Sequence, residues 1–409
     1  MNKKLLVLAV TSAVAATSAY ADTPNVNVYG KLYPQYMTAS AKGATSTGTT
    51  VSTLSPSASG ANAPSKQFVN SQNSYVGFKG DVDVGGGMKG WFQVEQSVEL
   101  DTGTGTFSSR NSAAGISGNF GNVFLGNWDT VYKQLGDPVS FLGISSGNVV
   151  STSGVLSKPG FSSGSSSQKS SFHLRQANNI EYDSPTIAGL TLMINYSPDE
   201  SKTSGVGNAK NAWLRDIGLK WEAGPLYVAL ANETHNDFFG GSLSSPTALQ
   251  NISGGAPTTG AHSKDTANRL SVKYALPTGT EIGVDYSQIE YKETGQAASG
   301  RFQNYKHNSY ALVGTQKLGN IQLAAAYVKS EKGTCSLSGG VACNTNGLEA
   351  SMIDLGAKYD FNKRTSVFAI YSKITNGTSA RHNNVGSSDL PFGVGADPEA
   401  LAAGVIVSF

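Results

Sequence analysis

Segments in which apolar and polar residues alternate recur along most of this 409-residue chain. In "LTLMINY" (190–196), for example, Leu, Leu, Ile and Tyr alternate with Thr, Met and Asn, and the same two-residue period occurs at 26–36, 269–276 and 353–359. Side chains of a β-strand point alternately to opposite faces, so each segment would have one apolar and one polar face. The pattern predicts β-strands of roughly 9–11 residues, the length that crosses a membrane.

The connections between these segments are short and long in turn. Short turns are predicted at 83–88, 184–189, 222–226, 276–280, 318–320 and 361–365. Long polar connections are predicted at 40–66, 101–109, 128–172, 197–211, 235–266, 292–303, 331–347 and 375–397. Membrane β-barrels have tight turns at one end and longer loops at the other. Eight long loops imply an all-β, transmembrane, antiparallel barrel of sixteen strands.

The composition favours a membrane barrel over a soluble protein. Charged residues are 14% of the chain, well below the roughly 25% of soluble domains. A secreted β-sandwich would need one shared core between two sheets, and a solenoid would need a fixed repeat, which is absent. Aromatic residues such as Tyr29, Trp221 and Phe409 lie near predicted strand ends, where membrane interfaces favour them.

The first residues have the layout of a cleavable secretory signal. Lys3 and Lys4 precede an apolar run at 5–16, and "AYA" ends at Ala21. We therefore expect a signal peptide at 1–21 and a single barrel domain at 22–409. Without Lys3 and Lys4 the 30 basic residues become 28, equal to the 28 acidic ones. This neutral balance gives no reason to expect a nucleic-acid partner.

The two cysteines, Cys335 and Cys343, lie in "CSLSGGVAC" and are predicted to form a disulfide in an exported loop. Metal binding by this pair is the weaker alternative, because no histidine or further cysteine lies nearby. The five histidines are scattered, and no nucleophile motif of the GxSxG type occurs. We therefore expect no catalytic residue, metal or cofactor.

Four strings in order carry a family resemblance: "SYVGFKGDVDVGGGMKGWFQVEQ" (74–96), "GISGNFGNVFLGNWDTVYKQLGDP" (115–138), "RQANNIEYDSPTIAGL" (175–190) and "YDFNKRTSVFAIYSK" (359–373). They resemble the Gram-negative general porins, the trimeric sixteen-stranded type of beta-proteobacteria. The resemblance implies a homotrimer of water-filled barrels in the outer membrane, surrounded by lipid and lipopolysaccharide. It also implies passive diffusion of small hydrophilic solutes and ions, with the third outer loop, about 128–172, folded into the lumen.

Selectivity in such a channel would depend on charged side chains across a narrow section. Strand parity places five basic candidates on the inner wall: Lys31, Lys220, Arg269, Lys273 and Lys358. Two further candidates, Arg110 and Arg175, flank family-like motifs, and Asp129 and Asp137 belong to the expected inserted loop. The expectation is thus a basic wall facing an acidic loop. One departure weakens the usual inference of anion preference, because Asn127 stands where family members often have arginine.

Two other functions remain open from the sequence. The first is a surface interaction protein, an adhesin or phage receptor, whose loops at 235–266 and 375–397 bind a partner while the barrel is an anchor. The second is an outer-membrane lipid hydrolase, which would need a Ser-His pair that the sequence does not present.

The chain ends in "AAGVIVSF", with an apolar stripe at Leu401, Ala403, Val405, Val407 and Phe409. Because an open sheet edge is not tolerated in hydrocarbon, this last strand is expected to pair with the strand that contains "NVNVYG" (25–30). Phe409 would then be the aromatic residue at the closing seam, and Ile406 would be an apolar residue on the polar face.

Overall fold

A computed structural model describes residues 25–103, 105, 107–142, 148–161, 170–198, 212–238, 262–295, 299–385 and 389–409. The expected signal peptide, residues 1–21, lies outside the described residues, as do most of the expected long loops at 197–211 and 235–266.

The alternating segments form sixteen antiparallel strands of one closed sheet. They are β1 (Asn25–Leu32 and Pro34–Lys42), β2 (Ala63–Ser71 and Tyr75–Gly85), β3 (Met88–Ser97), β4 (Ser112–Gly118), β5 (Gly121–Asp129), β6 (Arg175–Asp183), β7 (Leu190–Pro198), β8 (Trp213–Ala223), β9 (Leu226–Asn236), β10 (His262–Ala275), β11 (Thr280–Thr294), β12 (Phe302–Leu318), β13 (Ile321–Ser330), β14 (Ala350–Asp360), β15 (Thr365–Asn376) and β16 (Asp397–Ser408). Each strand pairs with its neighbours in sequence, so the predicted sixteen-stranded barrel is confirmed.

The barrel closes where β16 pairs with both segments of β1. The terminal residue continues this pairing, because Phe409 and Gly30 exchange two backbone N–H···O bonds of 3.1 Å each. The seam predicted from the last eight residues is therefore present. Ile406 lies on the inner face and lines an open cavity, so the apolar misfit of the stripe does face the interior.

The two faces of the sheet differ as the alternation predicts. On β8, Ile217 and Leu219 are exposed on the outer face, whereas Asp216 is buried on the inner face. Arg215 also lies on the outer face; the pairing of β8 with both neighbours runs without a register shift. Its guanidinium lies 6.0 Å from the ring centre of Trp213, near the end of the strand. Arg215 therefore extends along the outer surface toward the membrane interface.

Eight long connections join strands at one end of the barrel, here called the loop end, and two of them lie mostly outside the described residues. They are L1 (43–62), L2 (98–111), L3 (130–174), L4 (199–212), L5 (237–261), L6 (295–301), L7 (331–349) and L8 (377–396). The other end, here called the short-turn end, has seven turns. Six of these were expected from the sequence, and the turn at 119–120 was not.

The predicted disulfide joins Cys335 and Cys343 within L7, and their Cα atoms are 5.7 Å apart. Cys335 belongs to a four-residue strand segment, Thr334–Leu337, that pairs with β12 beyond the barrel wall. The bridge thus closes a small loop at the loop end.

Loop L3 contains two short helices, α1 (Val131–Leu135) and α2 (Ser153–Leu156). No helix in the described parts of the chain is both long and apolar enough to cross a membrane.

The seam between β1 and the C-terminus yields a test with a matched control. A Cβ atom at Gly30 would lie 2.6 Å from Cζ of Phe409 and 2.8 Å from the backbone oxygen of Tyr75. We expect Gly30→Ala to lower the free energy of unfolding in urea by about 1–3 kcal/mol, because overpacking strains the closing seam. Gly314→Ala should have little effect, since the nearest atom to its added Cβ is 4.0 Å away. Equal unfolding midpoints for the two variants would contradict this role of the seam.

Candidate functional site

Loop L3 leaves β5 at Asp129 and packs against the inner face of the opposite wall. The backbone N–H of Val131 donates to Oδ2 of Asp216 at 2.9 Å, and Tyr132 Oη lies 2.7 Å from Ser287 Oγ. Tyr227 donates its hydroxyl to the backbone oxygen of Leu135 at 2.8 Å. Helix α1 is therefore held inside the barrel by side chains of β8, β9 and β11.

Three glycines of the inner wall make room for L3. An added Cβ would collide with Leu135 and Val131 at Gly218, with Val139 at Gly283, and with Phe141 at Gly356. Glycine in a strand often marks a close approach of another segment. The apolar side chains of L3 fill the spaces that these glycines leave, so loop and wall fit each other over β8, β11 and β14.

A buried ion-pair cluster fastens L3 just after α1. Arg269 lies on β10, and its Nη2 is 3.0 Å from Oδ2 of Asp137 and 2.9 Å from Oδ1 of Asp285. These side chains are 0–1% exposed. Asp137 also accepts a hydrogen bond from Thr152 at 2.5 Å. Two of the residues expected to line an open channel, Arg269 and Asp137, are thus in direct contact with each other and closed to water.

The part of L3 around α2 is held by loop L8. Asn384 donates to the backbone oxygens of Val149 and Ser151, at 3.0 and 2.8 Å. His382 Nδ1 lies 2.9 Å from the backbone oxygen of Gly154, and burial lowers the pKa of His382 to about 3. The imidazole is therefore neutral at ordinary pH and donates from Nδ1. The described parts of L3 thus contact the wall and another loop at many points.

Lys158 lies in the same part of L3, and its Nζ donates to the backbone oxygen of Asn383 at 3.3 Å. Burial, with a smaller effect of the nearby Arg381, lowers the pKa of Lys158 to about 7. Lys158 is completely buried, so its charge does not face the open lumen.

Where L3 begins and ends, one carboxylate is shared by two cations. Asp129 Oδ1 is 2.8 Å from Nζ of Lys133 and 3.1 Å from Nη2 of Arg175. Asn111 donates to the other oxygen of Asp129 at 3.2 Å and accepts from Nε of Arg175. These charged side chains keep 12–20% of their surface exposed, so they border the remaining open space.

A second group of charges lies on β1, on β3 and at the end of L2. Arg110 Nε is 3.4 Å from Oε2 of Glu95, and its guanidinium lies 4.9 Å from the ring centre of Tyr75. Nζ of Lys31 is 5.7 Å from the same ring centre. Tyr29 donates its hydroxyl to Glu95 at 2.9 Å.

The two groups together are named the basic cluster: Lys31, Arg110, Lys133 and Arg175, with Glu95 and Asp129. Four cations and two carboxylates leave a positive excess.

Asn127 contributes to the basic cluster through the backbone. It stands at the position where the resemblance leads one to expect arginine, and its amide donates to the backbone oxygen of Arg110 at 3.1 Å. A weaker contact of 3.5 Å reaches the backbone oxygen of Ser108. The side chain thus holds the end of L2, from which Arg110 extends.

The remaining lysine candidates lie near the short-turn end, each beside a carboxylate. Nζ of Lys220 is 2.9 Å from Glu222, and Nζ of Lys358 is 3.1 Å from Asp360. Nζ of Lys273 is 3.9 Å from Glu281. The nine charged candidates therefore separate into the basic cluster, the buried Arg269–Asp137 pair and three lysines near the turns.

The expected contrast of a basic wall and an acidic loop differs from the structure. L3 itself contributes Lys133 and Lys158, and Asp129 belongs to the end of β5. The wall buries carboxylates, such as Asp216 and Glu233, under α1. Glu95 and Lys133 were not among the site residues predicted from the sequence. The parity of Glu95 with Trp91 on β3, and the position of Lys133 four residues after Asp129, were the available signals.

Within the ranges that the structure describes, no three residues among His, Cys, Asp and Glu are placed to hold a metal ion.

Comparisons with known proteins agree with this geometry. A sequence model of the Gram-negative porin family matches residues 7–379. The chain is similar to the major outer membrane protein P.IB of Neisseria lactamica, with 25% identity over 312 residues, covering 75% of this chain and 78% of that protein. It is also similar to P.IB of Neisseria gonorrhoeae, with 24% identity over 315 residues, 75% of this chain and 79% of that one.

Two solved structures share the fold. The anion-selective porin from Comamonas acidovorans superposes with a TM-score of 0.64 at 17% identity, covering 95% of this chain and all of that one. The trimer form of OmpT, an outer membrane protein of Vibrio cholerae, superposes with a TM-score of 0.57 at 15% identity, covering 95% and 100% of the two chains.

The anchoring of L3 can be tested at Arg269. Arg269→Met leaves Asp137 and Asp285 buried without their cation, and such a loss costs about 3–5 kcal/mol. We expect a lower free energy of unfolding in urea and faster protease cleavage within L3. Lys273→Met is the matched control on the same face of β10; its 3.9 Å contact with Glu281 is partly exposed and should contribute no more than about 1 kcal/mol. Equal effects of the two variants would mean that Arg269 does not anchor L3.

Proposed function

This chain belongs to the Gram-negative porin family, and we propose that its barrel is a passive channel whose narrowest section lies between L3 and the part of the wall that L3 leaves uncovered, with the basic cluster on its border. Membership of the family places the protein in the outer membrane of a Gram-negative bacterium, as a channel for the diffusion of small solutes. The short-turn end then faces the periplasm and the loop end faces outward.

The position of L3 is the observation that carries the proposal of a narrowed channel. The loop fills the interior against β8 to β14, where its side chains are buried on glycines and on the Arg269 ion pairs. Solutes must therefore pass between L3 and the part of the wall that it does not cover. The basic cluster, which keeps part of its surface exposed, borders this space.

We propose that the channel prefers anions. Charged side chains around a narrow, water-filled section set the sign of the ions that pass. The basic cluster has four cations and two carboxylates, and Asp129 is shared by Lys133 and Arg175. The anion selectivity named for the Comamonas acidovorans porin, which shares this fold, is in keeping with the proposal. Position 127 has asparagine where family members often have arginine, yet the basic cluster keeps its positive excess without that charge. Asn127 instead holds the backbone of Arg110, one of the four cations.

We also propose a homotrimer, surrounded by outer-membrane lipid and lipopolysaccharide. The trimer form of the Vibrio cholerae protein supports this assembly by analogy of fold. Because members of the family are channels, we propose no catalytic role for this chain. No contact among the described residues specifically favours the alternative of an adhesin or phage receptor.

The reversal potential in a KCl gradient tests the proposed selectivity. The wild type should pass chloride better than potassium. Arg110→Gln with Arg175→Gln should lower the chloride-to-potassium permeability ratio by about twofold or more, because local charge biases ion entry into a channel. Asp129→Asn should raise the ratio, whereas Asp137→Asn should change it less because Asp137 is buried against Arg269.

Lys373→Gln serves as the control, since this exposed lysine lies on the outer face of β15. Its permeability ratio should equal that of the wild type. A cation preference in the wild type, or equal ratios in all these proteins, would contradict the proposed role of the basic cluster.

A further inference from the structure

An open cavity of about 630 Å³ lies at the short-turn end, and its charged lining has mostly one sign. Five cationic side chains and one carboxylate surround it: Lys31, Lys317, Lys358, Lys363, Arg364 and Asp360. Ser140 and Phe141 of L3 form the inner limit of the cavity, so it lies directly below the narrowed section. This cavity is named the basic vestibule.

The cations of the basic vestibule come from three strands and one turn of the barrel. Lys31, Lys317 and Lys358 lie on the inner faces of β1, β12 and β14. Lys363 and Arg364 lie on the turn between β14 and β15. The side chain of Asn362 holds this turn by accepting the backbone N–H groups of Arg364 and Thr365, at 2.8 and 3.0 Å.

The single carboxylate is already engaged within the wall. Asp360 lies 3.1 Å from Nζ of Lys358 and accepts the hydroxyl of Ser366 at 2.5 Å. Among the described residues, no carboxylate oxygen lies within 4.0 Å of a side-chain nitrogen of the other four cations. Their charges therefore remain available to a solute in the cavity.

We propose that the basic vestibule is a binding site for soluble multivalent oxyanions, meaning small di- or tricarboxylates or phosphate-bearing solutes. The contact of one exposed cation with a monovalent ion is weak in water. An oxyanion with several charges can contact several of the five cations at once, and the cavity volume falls within the range of about 300–1,000 Å³ found for small-ligand sites. Neutral donors in the lining, such as Asn320 and Gln322, can complete the hydrogen bonding.

This inference rests on the proposed function, because it gives the channel a preferred class of solute on its periplasmic side. A solute that has passed L3 meets the basic vestibule before it leaves the barrel. Occupancy by a multivalent anion would then place negative charge in the conduction path. Such an anion should reduce the chloride current when it is added at the short-turn end.

Isothermal titration calorimetry on the purified protein in uncharged detergent at low ionic strength tests the site without requiring conduction. The probes are sodium pyrophosphate and sodium citrate, which represent the phosphate and carboxylate sources of the same charge. We expect saturable binding of a probe by the wild type, and the tighter of the two identifies the favoured source. Lys363→Gln with Arg364→Gln should weaken the affinity by about tenfold or more, a change that titration readily resolves.

The control removes two lysines from the opposite end of the barrel. Lys42→Gln with Lys332→Gln changes the net charge equally at exposed positions near L1 and in L7, and should keep the wild-type affinity. Lack of saturable binding by the wild type, or equal weakening in both double variants, would overturn the proposed site. The current of the same preparations in KCl alone tests channel function separately. A lack of current would contradict the proposed function, whereas the presence or absence of the binding site would still be decided by calorimetry.

Discussion

The strands of this barrel can lie in a membrane only because the sheet closes on itself. In hydrocarbon, water cannot satisfy a free backbone N–H or C=O, so a strand edge facing lipid costs several kcal/mol for each unpaired group. The pairing of β16 with β1, completed by the two bonds between Phe409 and Gly30, removes the last edge. Closure also fixes which side chains point inward. The polar face of every strand then surrounds a common interior, and the alternation along the chain becomes a difference between a lipid-facing surface and a hydrophilic lumen.

A barrel of sixteen strands is too wide for its wall side chains to fill, and L3 occupies much of the space. Among the many contacts that hold the loop, the buried contact of Arg269 with Asp137 and Asp285 is the one whose loss is expected to cost most. A buried ion pair gives little net stability over apolar packing, yet removal of one partner is strongly unfavourable. Such a cluster therefore holds L3 in one defined position while adding little to the net free energy of folding. The uncovered wall, with its positive excess, is left to contact solutes.

The sequence predicted the strands, the loops and the closing seam because a two-residue period and turn residues are local signals. The grouping of the long loops at one end and the inward face of Lys31 follow from the same signals. The disulfide of Cys335 with Cys343 follows from a different one, the close spacing of the two cysteines in an exported loop. The separation of the charged candidates could not be predicted. Parity places both Lys31 and Arg269 on the inner face, but only the path of L3 decides that Arg269 is buried and Lys31 lines open space. That path depends on contacts between residues more than 100 positions apart, such as Asp137 with Arg269, and these leave no periodic pattern.

If L3 lies inside the conducting path, as its contacts with the inner wall indicate, a charge added at Ser140 should alter the current. This exposed residue of L3 lines the basic vestibule. Cys335 and Cys343 are joined to each other and are the only cysteines of the chain, so Ser140→Cys introduces one free thiol. We predict that an anionic, membrane-impermeant methanethiosulfonate reagent reduces the single-channel conductance of this variant in discrete steps and leaves the wild type unchanged. An unaltered conductance after complete modification, verified by mass spectrometry, would mean that L3 does not lie in the conducting path.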